Sequence, residues 1–242
     1  MKARIVASTD LTLPEREAMY GLLNQHFMGV KRDIFNADLA EKNWVILIEQ
    51  ELTNTLKGFS TILIYTTQLA GELMTVVYSG DTIMDPSSWS SSILSRAWIG
   101  AIKTLRLQYP QGKFYWLLIC SGYRTYRFLP TFWQEFYPRY DVSTPPKVTE
   151  LMQFLAQDLF GDRYQRETGI VRLIHPQLLA GKLQGIPLAR LADPHINFFG
   201  DRNPDHAQGD ELVCLTEIGE DNLTSAGRRM WFAKNNTLAA SF

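Results

Sequence analysis

The sequence predicts an α/β domain: one central sheet with helices packed on its faces. Three observations carry this. A strongly capped helix pattern stands near the start, from Thr12 to Phe27. Three runs rich in Ile, Val, Leu, Thr and Tyr, the residues that suit a pleated surface, follow within residues 43–84. A wide-faced apolar helix and a continuous apolar run, "FYWLLIC" at 114–120, then alternate as they do in sheets covered by helices.

Taken in order, "KARIVA" at 2–7 predicts a short first strand. In "TLPEREAMYGLLNQHF", Thr12 caps the helix, Pro14 sits in its first turn and Glu15 stands three residues after the cap. Met19, Leu22, Leu23 and Phe27 share one face. A second helix is expected from Asp33 to Lys42. "NWVILIEQ" and "LKGFSTILIYTT" form strands joined across "ELTNT", and "LMTVVYSGDTIM" supplies the next one. Ile93, Ala97, Ala101 and Leu105 then recur every four residues, with Leu94, Trp98 and Ile102 beside them, giving a face broad enough to lie flat on a sheet. An aromatic-rich helical segment, 122–137, follows the apolar run, and a proline-marked helix begins near "TPPK". "GIVRLI" and "DELVCLTEI" read as later strands, separated by a polar, turn-rich stretch.

Composition narrows the function. The chain has 242 residues and a formal net charge of −1, with no long basic block to neutralise phosphates, so nucleic acid is not an expected partner. The least charged stretch, 59–80, is broken by Thr66, Thr67, Gln68, Gly71 and Glu72 and reads as two strands, not as a membrane span. The start has no secretory pattern. Two cysteines, Cys120 and Cys214, each within an apolar run, fit a reducing cytoplasm, with a disulfide between them left open. One domain is expected over 1–242, with its core in 1–140 and further strands and a lid in 141–242.

The stretch "YSGDTIMDPSSWSSSILSRAW" at 78–98 passes from strand to helix through Asp85, Pro86 and five serines. A helix start leaves about four amide donors open and about half a positive charge, which suits a phosphate. The same residues also suit a plain cap by Ser87 or Ser88.

This order of elements resembles the GCN5-related N-acetyltransferases over roughly residues 1–140. The resemblance implies a mixed sheet that splays between its fourth and fifth strands, here 73–84 and 113–120, with an acyl carrier's pantetheine arm in the opening. It implies that pyrophosphate rests on the helix start after the fourth strand, at Ser90, Ser91, Ser92 and Ile93, and that the splayed strand end from Gly80 to Ile83 supplies a backbone donor to the thioester oxygen. Family members carry glycines in that loop; Trp89, Ser90, Ser91 and Ser92 make it degenerate here. The implied activity is transfer of an acyl group, including longer fatty acyl groups, from a coenzyme A or carrier-protein thioester to an amine of a small molecule or peptide. A non-catalytic binding module and a thioester hydrolase are the alternatives.

For the chemistry, Asp81 in its apolar strand is the expected base or amine anchor. Tyr126, ahead of Tyr123, is the expected proton donor to the departing thiolate. Within "DPHINFFGDRNPDHAQGDEL", His206 is favoured over His195 as a base carried on a lid; a plain solvated loop is the other reading. That segment's ligand spacing matches no familiar metal pattern, so no metal is expected. The aromatic residues from Tyr109 to Tyr137 either fill a core or wall an acyl tunnel.

Overall fold

Thr12 and Glu15 close the first helix as the sequence predicts. The Glu15 N–H donates to Thr12 Oγ1, and the Glu15 carboxylate accepts from the Thr12 N–H at 2.7 Å. The structure, a computed structural model, describes residues 1–181, 184–233 and 238–240. Strand β1 (Lys2–Ala7) leads into α1 (Leu13–His26), whose Met19, Leu22 and Leu23 are buried. Glu15 also pairs with Arg4, tying the helix start to the strand. A two-residue strand, β2 (Phe27–Met28), separates α1 from α2 (Arg32–Ala40).

Three antiparallel strands follow: β3 (Trp44–Glu49), β4 (Leu56–Leu69) and β5 (Glu72–Met84). Helix α3 (Ile93–Arg106) then crosses over to β6 (Lys113–Cys120), which lies parallel to β5. Two short helices come next, α4 (Tyr123–Tyr126) and α5 (Phe128–Phe132), and then α6 (Pro146–Phe160). Short strands β7 (Tyr164–Gln165), β8 (Ile170–Arg172) and β9 (Leu178–Leu179) precede α7 (Pro194–Arg202). The chain continues through β10 (Asp210–Glu217), α8 (Ser225–Trp231) and β11 (Leu238–Ala240).

The result is the expected α/β fold, a mixed sheet of nine described strands in the order β11-β1-β3-β4-β5-β6-β10-β8-β7. Because β2 is counted, the expected fourth and fifth strands are β5 and β6. They pair only from Met74 to Tyr78 of β5, although β5 runs on to Met84 against β4, and β6 runs on to Cys120 against β10. Beyond Tyr78 the two strands part, and the sheet is open there. One face is covered by α3, α4, α5, α7 and α8 over a core that includes Trp98, Trp116 and Trp133. The other face is divided. Helices α1 and α2 cover one cluster around Val45, Leu47 and Phe59, and α6 covers another around Val76, Leu117 and Val213.

Two expectations change. The segment 122–137 is not one helix: it breaks at Arg127, and after Phe132 the chain runs extended, Trp133 and Tyr137 bridging to Leu223 and Leu215. Pro130 sits in the first turn of α5, where its missing N–H costs nothing. The polar stretch 193–212 is not a solvated loop. Asp193 accepts from the His195 N–H at 3.0 Å, Pro194 takes the first helical position, and Ile196 and Phe199 of α7 enter the core. Cys120 and Cys214 are free and buried in neighbouring strands. Among the described residues no helix is long and apolar enough to cross a membrane.

Candidate functional site

The opening gets its chemistry from a bulge. Opposite the two-residue step Ser60–Ile62 on β4, β5 takes three residues, Ser79 to Thr82. Ser79 accepts from the indoles of Trp98 and Trp116, and Thr82 meets Ser60, so both face the α3 side. Gly80 packs against Lys42 and Thr61, and Ile83 joins the core under α1 and α2, so both face the other side. Asp81 is the extra residue between them. A bulge re-aims the side chain it inserts, and here the unpaired edge of β5 borders the opening. A Cβ on Gly80 would stand 2.6 Å from both Lys42 Cε and Thr61 Oγ1, so a side chain there would have to displace the lysine.

Asp81 is half-buried, and its carboxylate has neither hydrogen bond nor ion pair among the described residues. Burial pushes its pKa up to about 7, the Asp38 carboxylate adds to the rise, and Lys42 opposes it. Across the opening Glu211, the second residue of β10, is also half-buried and without an ion-pair partner among the described residues. Its pKa is pushed up to about 8 by burial first, then by Asp81 and Asp38. Tyr78, at the point where the strands part, feels burial and the same three carboxylates, and its phenol is held well above its usual range. Lys42 is 3% exposed and donates to Asp38 Oδ1 at 2.7 Å and to the Asp38 carbonyl at 3.1 Å. The sequence reading had Glu211 only as one of several acidic residues within 193–212, behind His206, because nothing local links it to a residue 130 positions earlier.

On the other side of the opening, Asp85 and not a serine caps the turn after β5. Its Oδ1 accepts from the Ser87 N–H at 2.9 Å and from Ser87 Oγ at 2.7 Å, and those bonds, with Lys57, hold its pKa low. Helix α3 starts only at Ile93. Ser92 holds the cap position without a side-chain cap, and the Ile93 N–H donates to Ser91 Oγ at 3.2 Å. The amides of Ser92, Leu94 and Ser95 have no partner among the described residues. Ser90 and Ser92 are exposed, and Ser91 and Ile93 are half-buried. The Ile83 side chain is buried on the α1–α2 side, which leaves only its backbone for a ligand.

The other predicted residues lie elsewhere. Tyr126 is 0% exposed, donates its hydroxyl to the Pro138 carbonyl at 2.9 Å and packs on Phe136, Phe198 and Phe199; burial drives its pKa upward. This is a core tyrosine, and the expectation that it serves the thiolate is withdrawn. His206 follows α7, with Nδ1 2.8 Å from the Asn203 carbonyl and its ring on Phe199. It lines a cavity of about 30 Å³ with Ser121–Arg124 and Gln177–Leu179, and Tyr123 is its neighbour there. The Arg124 guanidinium lies 4.5 Å from the Trp89 ring, joining α4 to the serine loop. Trp98, Trp116 and Trp133 pack on one another at 4.2 to 6.1 Å, so this part of the aromatic wealth is filled core.

A strap crosses the end of the opening. From β8 the chain runs through His175 and Pro176 to β9, which pairs with β2, and the Ala180 N–H donates to the His26 carbonyl at 2.8 Å. Pro176 is seated between two glycines: a Cβ on Gly29 would meet its carbonyl oxygen at 2.8 Å, and one on Gly209 would meet its Cβ at 2.3 Å.

No protein-family model matches the chain, and no curated protein matches it in sequence. Solved structures similar to it in fold include Escherichia coli ElaA, at 17% identity over 60% of this chain and 94% of that one, with a TM-score of 0.40. Glucosamine-6-phosphate N-acetyltransferase from Arabidopsis thaliana is similar at 13% identity over 60% of this chain and 97% of that one, with a TM-score of 0.39. A protein of Enterococcus faecalis described as a probable N-acyltransferase is similar over 91% of this chain and 66% of its own length, at 10% identity and a TM-score of 0.40.

Proposed function

We propose that the chain transfers an acyl group from a coenzyme A thioester to an amine seated in the opening between β5 and β6. The observation that carries this reading is the pair Asp81 and Glu211, two carboxylates at the splay with no ion-pair partner among the described residues, pushed by burial up to about 7 and about 8. A group that titrates near neutrality can take a proton from an ammonium and release it again. An amine enters charged and gives one proton to the pair. The freed nitrogen lone pair attacks the thioester carbonyl, the C–N bond forms, and the C–S bond breaks with its electrons on sulfur. The nitrogen, cationic once bonded to carbon, gives up its second proton, and the thiolate takes up one proton, so that a neutral amide and a free thiol leave. The carbonyl oxygen, as its charge develops, would be received by N–H groups on the edge of β5 beyond Tyr78, where pairing with β6 has ended. The unpartnered amides of Ser92, Leu94 and Ser95 at the start of α3 suit the donor's phosphates.

The packed tryptophans favour a short acyl group over the fatty chain that an aromatic tunnel would select. Thermal unfolding with acetyl-, octanoyl- and palmitoyl-coenzyme A against free coenzyme A tests donor binding. Saturation at 100 times the dissociation constant adds about 2.7 kcal/mol of stability. We expect acetyl- and free coenzyme A to stabilise alike, with no gain from longer chains. Thiol release that requires an amine establishes transfer; release without any amine establishes hydrolysis. No shift with any ester removes the coenzyme A reading.

A further inference from the structure

The reaction set out above moves one proton off nitrogen and one onto sulfur, and with Tyr126 in the core no group is yet assigned to that transfer. Among the described residues, six buried side-chain nitrogen and oxygen atoms have no hydrogen-bond partner, and His206 Nε2 is one of them. Of those six, it alone belongs to a residue that lines the cavity at the end of β6. The Asn203 carbonyl, 2.8 Å from Nδ1, can only accept, so in the neutral ring the proton sits on Nδ1. Nε2 is then left with a bare lone pair, buried and unanswered. A buried acceptor without a partner is uncommon in a folded chain and asks for an explanation.

The ring is fixed in place. Asn203 is 0% exposed, and its Nδ2 donates to the Cys120 carbonyl at 3.2 Å and to the Asp210 carbonyl at 2.8 Å. The first is the end of β6, and the second belongs to the peptide that joins Asp210 to Glu211. His206 is thus pinned, through one asparagine, to the strand end that carries Glu211. The Gly209 N–H closes the turn onto the His206 carbonyl at 3.2 Å, and the ring rests on Phe199. The cavity begins at Ser121–Arg124, directly after β6, and Gln177 and Leu178 of the strap form another wall. Its volume of about 30 Å³ is room for a water or for the sulfur end of a thioester. Arg124 lines it as well and packs on Trp89 at 4.5 Å, so the cavity adjoins the serine loop proposed for the donor's phosphates. A guanidinium on the wall favours a sulfur that leaves as an anion.

From this we infer that His206 is a catalytic residue: its Nε2 takes the second proton from the nitrogen and delivers it to the departing sulfur, which occupies the cavity. In the tetrahedral adduct nitrogen and sulfur are bonded to the same carbon, so one ring serves both. The cationic nitrogen loses its proton to the Nε2 lone pair, and the ring becomes an imidazolium still bonded through Nδ1–H to Asn203. The C–S bond breaks with its electrons on sulfur, the sulfur takes the proton from Nε2, and the ring returns to its first state. No outside acid or base is consumed. The first proton, taken from the ammonium by Asp81 and Glu211, passes to solvent when the amide leaves. The inference rests on the acyl-transfer reading of the opening, and the experiment separates the two.

Thiol release by the full chain from acetyl-coenzyme A, with butylamine and a lysine-containing tripeptide in turn as acceptor, reads the proton transfer. His206→Gln should lower kcat by about 10²-fold or more and leave KM for the donor unchanged. In His206→Gly, added imidazole should restore turnover, since it supplies the missing ring. A His206→Gln rate within about threefold of wild type overturns the inference, as does a loss carried by KM alone. So does a loss in folded His206→Gly that imidazole leaves untouched. Nitrogen-15 spectra of the wild-type chain read the cavity without turnover. The Nε2 resonance should move toward the N–H position with coenzyme A and stay in place with desulfo-coenzyme A, which lacks the sulfur. If coenzyme A stabilises the fold yet Nε2 ignores it, or answers both compounds alike, the inference falls and acyl transfer stands. If neither amine gives thiol release from the wild-type chain, acyl transfer falls, and a sulfur-dependent Nε2 signal still supports a thiol site at His206.

Discussion

At the scale of single residues, Asp81 carries two linked consequences. As the proposed base it sets the rate: Asp81→Asn should lower kcat/KM by about 10²- to 10⁴-fold, the usual worth of a positioned proton acceptor. It also sets the pH dependence. Because the pair ionises near pH 7 and 8, kcat/KM should rise through that window, and Glu211→Gln should leave a single inflection near 7, since Asp81 raises Glu211 while burial and Asp38 raise Asp81. The effect on stability has the opposite sign. A carboxyl whose folded pKa lies above its unfolded value binds its proton more tightly in the fold. Stability therefore falls as pH rises from the unfolded value near 4 until the folded value is passed. Asp81→Asn removes that loss and should stabilise the chain by about 2 kcal/mol near pH 8, and by less near pH 5, in paired urea titrations. A variant that loses both activity and stability at pH 8 would argue that Asp81 is structural.

At the scale of elements, the open edge of β5 hangs on Ser79. One hydroxyl accepts from two indoles, at 3.1 Å from Trp98 on α3 and 2.9 Å from Trp116 on β6. Ser79→Ala orphans two donors and should cost about 2 to 4 kcal/mol by urea unfolding, against about 1 kcal/mol for Thr12→Ala at the start of α1. That contrast also marks what the sequence could disclose. Helix α1 was legible because cap, proline and Glu15 lie within four residues of one another. The parting of β5 from β6 was implied by the family resemblance that the order of elements carries. Asp81 was visible as a charge in an apolar strand. Glu211 was not, since its meaning comes from β10 closing against β6. Tyr126 came from the family resemblance, which does not tell which face of α4 the core will take; here the core takes its side chain. The Asp193–Pro194 start of α7 is the same signal as Thr12–Pro14, hidden by its polar surroundings. A two-residue pairing such as β2 with β9 leaves no periodicity to read.

At the scale of the whole molecule, the late part of the chain completes the fold begun by the early part. Strand β10 lies against β6, and the strap returns to β2, so the site draws on α2, β5 and β10 together. Gly29 has φ near 83° and no room for a side chain beside Pro176. Gly29→Ala should release the strap at a cost of about 1 to 2 kcal/mol, with faster hydrogen exchange at the Ala180 amide and little change in the sheet. Unchanged exchange there would show that the strap is held by other contacts.

The tryptophans under the opening have an optical consequence. Trp98 and Trp116 stand 4.2 Å apart at 36°, and Trp133 is 5.0 Å from Trp116. Indoles this close and skewed share their excitation, so the near-ultraviolet circular dichroism of the chain should carry a coupled signal absent from isolated tryptophan. Two of the three rings are hydrogen-bonded to the residue at which β5 leaves β6. Any ligand that widens or closes the gap must therefore turn the rings against each other. The molecule carries its own spectroscopic gauge of the opening, readable without a label and before any product is formed.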